Sequence, residues 1–220
     1  ALGIKVRHIA RYGDRSIAEH AFSLLIAAAR GLGQMDREIR SGTWQAFEGI
    51  ELAGKTLGVV GAGAVGSELI RIADAFGMLC LAWNRSGVHP SLPCRETSLE
   101  DLFQQADAVS LHIAYADETH EMIDAPLLNA MKPGAILVNT ARGGVVDEAA
   151  LISALTDGPL RHAALDVFTE EPLSNASPLA RLENVTLSAH AAWKTPDAAD
   201  RLMRLGLEVL QSDIATAANQ

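Results

Sequence analysis

An apolar run in this sequence ends in a glycine-rich turn and continues at once into a segment with helical periodicity. The turn reads Gly61-Ala62-Gly63-Ala64-Val65-Gly66. A Gly-x-Gly-x-x-Gly turn between a strand and a helix is the layout of a dinucleotide-binding unit. Its first glycine would allow the tight turn, its second the approach of a pyrophosphate, and its third close packing of helix on strand. The residues predicted to contact the cofactor are Gly61, Gly63, Ala64, Val65 and Gly66.

Alone, this pattern also fits a glycine-rich turn of any α/β protein, so the rest of the chain has to decide. From residue 56 onward, apolar segments alternate with helical ones. The predicted strands are 56–61, 78–84, 108–113, 135–139, 162–167 and 184–188, and the predicted helices are 64–76, 98–105, 125–131, 147–156 and 195–217. Ser98 and Asp147 are the expected helix caps. The alternation predicts an α/β fold, a doubly wound parallel (Rossmann) sheet with helices on both faces and ligands at the carboxyl ends of the strands.

The segment before this unit is predicted to add further elements. Residues 4–9 alternate as in a short strand. Ser16 and Glu19 have the spacing of a capping box for one long helix over 17–40, which Gly31 weakens near its middle. Such a helix is an addition to the basic fold, and it could serve a second domain or a dimer interface.

Composition excludes several classes of function. The 220 residues are 49% hydrophobic and 20% charged, with a net charge of −9, which argues against nucleic-acid and anionic membrane surfaces. No apolar run reaches the roughly 18 residues of a membrane-spanning helix, and the start lacks a signal-peptide layout. Cys80 and Cys94 have no metal-ligand spacing, so we expect no metal site and a reducing, cytoplasmic environment.

The end of the second predicted strand bears on the choice of dinucleotide. An NAD site has an acidic residue there that holds the ribose hydroxyls. This chain has Asn84-Arg85-Ser86 instead. Arg and Ser suit a 2′-phosphate, so the sequence predicts NADP with NAD possible. The alternative is that Arg85 is only a solvent-facing loop residue.

Three later stretches place an arginine, carboxylates and a histidine after successive strands. They contain Arg142, the acids Asp166, Glu170 and Glu171, and His190. Reduction of a 2-oxo acid needs these residue types, because an arginine can hold the substrate carboxylate and a carboxylate-oriented histidine can protonate the keto oxygen. Taken singly, each residue could equally be a structural ion-pair partner, a solvated acid or a loop histidine.

As a set, the motifs resemble the D-isomer-specific 2-hydroxyacid dehydrogenase family. The matching blocks are the glycine turn, 139–143, 166–173 and 188–190. The resemblance implies that Arg142 binds and activates the substrate, that His190 is the general acid/base, and that Glu171 supports His190. It further implies that the cofactor is contacted by Asp166 (through the nicotinamide carboxamide), His112, Thr140, Ala141, Arg142 and His190, besides Asn84, Arg85 and Ser86. Asn84-Arg85-Ser86 and Trp193 resemble the NADPH-dependent glyoxylate/hydroxypyruvate reductases within the family.

The resemblance also implies a two-domain organisation. Residues 1–16 would be a stub of a substrate domain, 17–194 the dinucleotide-binding domain, and 195–220 a helix returning toward the substrate domain. The expected partners are a small 2-oxo or 2-hydroxy acid and a second copy in a homodimer. The alternative function is a nucleotide-sensing interaction module like the corepressor relatives of these dehydrogenases. The remaining histidines, His8, His20, His89, His120 and His162, are interpreted as surface or packing residues.

Overall fold

A single parallel sheet organises the protein. The structure is a computed structural model and describes residues 6–218. The strands are β1 (Thr56–Val60), β2 (Leu79–Trp83), β3 (Arg95–Glu96), β4 (Ala108–Leu111), β5 (Ala135–Asn139), β6 (Leu160–Leu165) and β7 (Val185–Leu187). They pair in the order β3-β2-β1-β4-β5-β6-β7, and every pairing is parallel. The predicted doubly wound sheet is therefore confirmed.

Helices cover both faces of this sheet. They are α1 (Asp14–Arg30), α2 (Leu32–Arg40), α3 (Ala64–Ala75), α4 (Leu99–Gln105), α5 (Ala125–Asn129), α6 (Glu148–Thr156) and α7 (Pro196–Ala218). Val59 packs into an apolar core with α1 and α3, whereas its neighbour Val60 packs into a second core with α4, α5 and α6. Successive strand residues point to opposite faces, so a strand buried on both sides needs an unbroken apolar run.

The prediction of one helix over 17–40 is wrong, because the chain breaks at Gly31. This residue has φ +62°, in the left-handed region that favours glycine, and it separates α1 from α2. A Cβ at this position would lie 2.4 Å from the ring of Phe47, so close packing also requires glycine there. The break turns α2 away from the core, and none of its residues is buried.

The predicted start of this helix is also wrong. The first helix begins at Asp14, and Ser16 lies inside it. The Ser16 hydroxyl donates to the Gly13 carbonyl at 3.1 Å rather than capping, while Glu19 accepts from Arg15 at 2.7 Å. Residues 6–9 form no strand, since they lie beside α7 and not beside a sheet edge, with Arg7 paired to Asp213. Positions 4 and 5 of the predicted strand lie outside the described residues.

The later α-helices and strands match the predictions within a few residues, and one strand is missing from the predictions. The predicted caps are present: Ser98 accepts from the Asp101 amide at 3.1 Å and Asp147 from the Ala150 amide at 3.0 Å. The edge strand β3 was not predicted from the sequence. It consists of two exposed charged residues, and such a short polar edge has no apolar pattern to reveal it.

Candidate active site

The predicted site residues follow six strands whose carboxyl ends lie along one edge of the sheet. Because all pairings are parallel, the loops after β1, β2, β4, β5, β6 and β7 open on the same side. Backbone bonds beyond the strands keep three of these loops together. Asp166 N donates to Asn139 O at 2.9 Å, Ser188 N to Leu165 O at 2.9 Å, and His190 N to Asp166 O at 2.8 Å. The chain therefore brings together groups as distant in sequence as Gly61 and His190.

The glycine turn has the geometry that its pattern predicts. Gly61 has φ +96°, and a Cβ there would lie 2.7 Å from the His112 carbonyl oxygen. A Cβ on Gly66 would lie 2.1 Å from the Gly61 carbonyl oxygen, so α3 can pack on β1 only with glycine at this position. A Cβ on Gly63 would meet nothing within 4 Å. Gly63 therefore faces open space immediately before α3, where the helix N-terminus favours a negatively charged ligand.

Arginines that the sequence analysis did not single out surround this turn. A cavity of about 820 Å³ is lined by the glycine turn and by Arg11, Arg15, Arg71 and Arg201. Arg15 and Arg71 both pair with Glu68, at 3.2 and 2.8 Å. Arg11 precedes α1 and Arg201 lies on α7, so only the tertiary fold reveals their proximity to the turn. With these four arginines against the acids Asp14 and Glu68, the lining of the cavity carries a net positive charge beside the glycine turn.

The loop after β2 is a compact polar turn. The side-chain amide of Asn84 donates to Ser86 Oγ and to the Gly87 carbonyl, both at 2.9 Å. Arg85 and Ser86 are exposed. The carboxylate of Glu96, at the end of β3, accepts from the Val88 amide at 3.1 Å, which adds an acidic group beside this loop.

Asn139 organises the loop after β5. Its side chain accepts from the Ala141 amide at 2.9 Å and donates to the Arg142 carbonyl at 3.0 Å. The neighbouring Thr140 hydroxyl is buried and has no hydrogen-bond partner among the described residues. Because buried polar atoms are nearly always bonded, this hydroxyl is suited to a ligand at the same edge.

His112, at the end of β4, is neutral at physiological pH. Its Nε2 lies 2.8 Å from the Ser110 hydroxyl. Burial of the imidazole lowers the pKa of His112 to about 4, because the low-dielectric surroundings disfavour the charged form. An uncharged ring at this position can line a cofactor without adding a positive charge.

His190 and Glu171 form a close pair. Nδ1 of His190 lies 2.7 Å from Oε2 of Glu171, and Oε1 of the same carboxylate accepts from the Phe168 amide at 3.0 Å. Partial burial opposes ionisation of Glu171, but the bonds from His190 and the Phe168 amide outweigh it and lower the pKa of Glu171. The carboxylate is therefore charged at neutral pH and orients the imidazole. The pair borders a cavity of about 650 Å³ whose apolar lining includes Phe168, Leu173 and Leu187.

Arg142 lies beside this pair. Its charge also favours the ionised form of Glu171, and its Nη1 donates to the Ala141 carbonyl at 2.6 Å. The loops approach closely here, because a Cβ on Gly143 would lie 2.0 Å from the Phe168 carbonyl carbon. The side chain of Arg142 is exposed, so its guanidinium is accessible to an anionic substrate.

Asp166 is fully buried, and its carboxylate is already bonded within the protein. It accepts from the Ser188 hydroxyl at 2.5 Å, the Ala191 amide at 3.0 Å and the Ala192 amide at 2.9 Å. Burial alone would raise its pKa, but these bonds and His20 lower the pKa of Asp166 to about 2. Contact with a nicotinamide carboxamide stays a prediction.

The contacts of His20 differ from those of the surface or packing residue that the sequence predicts. Its Nε2 lies 3.0 Å from the Ser188 hydroxyl and 3.4 Å from Asp166 Oδ1, so it belongs to the network beneath the site. No local pattern marks it, since the contact spans 168 residues of sequence. His162, in contrast, is the packing residue expected, buried and bonded to Thr186 at 2.9 Å.

Neither a metal site nor a membrane-crossing helix is found over residues 6–218. No group of three or more His, Cys, Asp or Glu side chains has the arrangement of a metal site in this part of the chain. Among the helices described, none combines the length and the apolar character needed to cross a bilayer.

Comparison with known proteins decides the family. Residues 22–192 match the D-isomer specific 2-hydroxyacid dehydrogenase, NAD binding domain. The chain belongs to this family. All four motif blocks identified in the sequence fall within the matched range.

Individual members agree with this assignment. A glyoxylate reductase from Aeropyrum pernix is 39% identical over 95% of this chain and 66% of its own length. A hydroxypyruvate reductase from Thermotoga maritima is 36% identical over 95% of this chain and 69% of its own length. The chain thus spans about two thirds of these relatives.

Solved structures confirm the fold. An acyclic imino acid reductase (Bsp5) in complex with NADPH and D-Arg superposes with a TM-score of 0.87 at 33% identity, covering 94% of this chain and 67% of the other. A D-lactate dehydrogenase from Aquifex aeolicus, complexed with NAD and lactic acid, gives 0.87 at 31% identity, covering 99% and 71%. Of these two structurally similar proteins, the first is complexed with NADPH and the second with NAD.

Proposed function

We propose that this protein is an NAD(P)-dependent oxidoreductase that interconverts a small 2-oxo acid and a D-2-hydroxy acid. One observation carries the proposal: the 2.7 Å contact between His190 and an ionised Glu171, beside the accessible guanidinium of Arg142. This trio supplies a proton donor, the carboxylate that orients it, and an anion-binding group at one edge of the sheet. Family membership supports the reaction class.

The roles of the three residues follow from their contacts. When bound, a reduced nicotinamide supplies a hydride to the carbonyl carbon of the substrate. His190 directs Nδ1 toward Glu171, which leaves Nε2 to donate a proton to the carbonyl oxygen. Glu171 stabilises the charged imidazolium before that transfer, and Arg142 binds the substrate carboxylate. In the oxidation direction His190 accepts the hydroxyl proton instead.

The residues present fit a dinucleotide at the glycine turn. The open space at Gly63 admits a pyrophosphate, and the unbonded hydroxyl of Thr140 gives a polar contact further along the edge. We propose a preference for NADP, because Arg85 and Ser86 are exposed where a 2′-phosphate would lie. Glu96 lies near the same loop and opposes this preference electrostatically, so Arg85 is the residue on which the choice depends.

We propose glyoxylate or hydroxypyruvate as the substrate type. Two relatives bear these names, glyoxylate reductase and hydroxypyruvate reductase. Beside the site, the ring of Trp193 packs edge-on against Tyr12 with 5.9 Å between the centroids. This contact ties the loop after His190 to the segment before α1.

The proposed assembly is a homodimer of two-domain subunits, with residues 1–16 and 195–220 associated with a substrate domain and 17–194 binding the cofactor. Two sets of exposed apolar side chains support it. Leu32 and Ile39 on α2 and the nearby Trp44, which is 89% exposed, suit a second copy. Met203, Leu207, Leu210 and Ile214 form a stripe on α7 that suits the substrate domain.

A substrate screen tests the proposed function. The full-length protein would be assayed with NADPH and NADH against glyoxylate, hydroxypyruvate, pyruvate and phenylpyruvate. We expect turnover of the small acids and a lower Michaelis constant for NADPH. Tight cofactor binding without turnover of any acid would instead favour a nucleotide-sensing module.

A further inference from the structure

A hydrogen-bonded chain runs from α1 to the turn that carries His190. His20, on α1, lies 3.0 Å from the Ser188 hydroxyl through Nε2. The Ser188 hydroxyl lies 2.5 Å from Oδ1 of Asp166, which is fully buried. Three residues from separate parts of the sequence therefore form one continuous network beneath the site.

The direction of each bond follows from the number of available protons. The Ser188 hydroxyl has a single hydrogen, and an ionised Asp166 can only accept, so Ser188 donates to Asp166. The Ser188 oxygen must then accept from His20, which requires a proton on Nε2 of that ring. This holds for both the neutral Nε2–H tautomer and the imidazolium, so the network does not depend on the charge of His20.

Asp166 in turn holds the turn at His190 through both its backbone and its side chain. Its carbonyl accepts from the His190 amide at 2.8 Å, and its carboxylate accepts from the amides of Ala191 and Ala192. His190 has φ +49°, a left-handed conformation that residues other than glycine rarely adopt. Such a conformation persists only where the surroundings enforce it. The three hydrogen bonds from the amides of residues 190–192 to Asp166 hold His190 in this conformation.

We propose that His20 is a positioning residue for His190. By donating to Ser188, it fixes the Ser188 hydroxyl and the Asp166 carboxylate, and thereby the turn that holds His190 against Glu171. His20 does not touch the reacting atoms. The expected effect of His20 on catalysis rests on the proposed function of His190, whereas its expected effect on the conformation of the turn does not.

A second histidine offers a matched control. His162 on β6 lies 2.9 Å from the hydroxyl of Thr186 on β7, so it also forms a histidine–hydroxyl contact within the same part of the sheet. Thr186 is not among the groups bonded to the Asp166 carboxylate. Loss of His162 should therefore lower stability without releasing the turn at His190.

The test compares His20→Ala, His20→Gln and His162→Ala in the full-length protein. Amide hydrogen exchange at residues 190–192 is measured by NMR, with kcat and the dissociation constant for NADPH. We expect His20→Ala to speed exchange of these three amides about tenfold and to lower kcat similarly, with NADPH affinity unchanged. His20→Gln should restore both, because its amide nitrogen can donate in place of Nε2, and His162→Ala should change neither.

Several results would overturn the proposal. Exchange at 190–192 that is the same in His20→Ala and His162→Ala would do so, as would failure of His20→Gln to restore it. If His20→Ala does not fold, imidazole ¹⁵N spectra of the wild type decide, since a ring protonated only on Nδ1 is incompatible with the network. A wild-type protein that lacks turnover would refute the oxidoreductase assignment, while the amide exchange still reports on His20.

Discussion

Nδ1 of His190 and Oε2 of Glu171 lie 2.7 Å apart although 19 residues separate them in the chain. The carboxylate also accepts from the Phe168 amide, so its position is fixed independently of the histidine. His190 is held from the other side by Asp166. The pair is thus preorganised, which is the condition for efficient proton transfer at the edge of the sheet.

Replacing Glu171 by glutamine should show how far the charge of its side chain, and not its shape, contributes to turnover. Glu171→Gln keeps the shape of the side chain but cannot stabilise the imidazolium, so we expect kcat to fall about tenfold or more. The adjacent Glu170→Gln is the control, because Glu170 is also an exposed acid, whereas it is Glu171 that bonds to Nδ1 of His190. Steady-state kinetics on both variants measure the effect, and equal losses would show that Glu171 has no special role.

Two glycines of the same turn should respond in opposite ways to alanine. At Gly66 a Cβ would lie 2.1 Å from a backbone oxygen, so Gly66→Ala should lower stability by about 1–3 kcal/mol. At Gly63 nothing lies within 4 Å, so Gly63→Ala should fold normally and weaken NADPH binding about tenfold or more. Thermal unfolding and fluorescence titration separate the outcomes. Unchanged NADPH affinity in Gly63→Ala would argue against a pyrophosphate at this turn.

Cofactor preference should depend on Arg85. Loss of a charged hydrogen bond to a 2′-phosphate should raise the Michaelis constant for NADPH about tenfold in Arg85→Ala and leave that for NADH nearly unchanged. Arg181→Ala removes another exposed arginine, which lies between β6 and β7 and not in the loop after β2, and it serves as the control. A wild-type preference for NADH would contradict the NADP proposal directly.

The features of the fold that can be predicted from the sequence are those that depend on residues close together in the chain. The glycine turn, the Ser98 and Asp147 caps and the strand ends are set by neighbouring residues. The sequence predicts the turn and the caps correctly, and the strand ends within two residues. The break at Gly31 depends on Phe47 filling the space beside it. Local periodicity cannot report such a contact, so it predicts one helix where the structure has two.

The same reasoning applies within the site. Arg142, Glu171 and His190 come from separate loops, and it is the resemblance of the motifs to a family that assigns their roles before any geometry is known. His20 lies in a helix whose pattern indicates only packing, and its contact with Ser188 exists only in the folded chain. Tertiary networks of this kind leave no periodic trace in a single sequence.

Asp166 should make a measurable contribution to acid stability. Its pKa of about 2 in the folded protein lies below the unfolded value near 3.8, so its contribution is full above about pH 4 and is lost as the pH falls toward 2. The shift corresponds to about 2 kcal/mol. Denaturant unfolding from pH 6 to 2 should show the difference in free energy of unfolding between wild type and Asp166→Asn narrowing by that amount. The exposed Asp200→Asn serves as the control variant. A difference in free energy of unfolding between wild type and Asp166→Asn that does not change with pH would contradict the lowered pKa of Asp166.

The role of His190 is the central claim, and the turnover of a His190→Ala variant tests it most directly. In the full-length protein we expect kcat for the preferred 2-oxo acid to fall about 10²-fold or more, because a general acid contributes on that order. The dissociation constant for NADPH should remain near that of the wild type, since the glycine turn is unaltered. Turnover close to the wild-type rate in His190→Ala would contradict the assignment of His190 as the general acid/base.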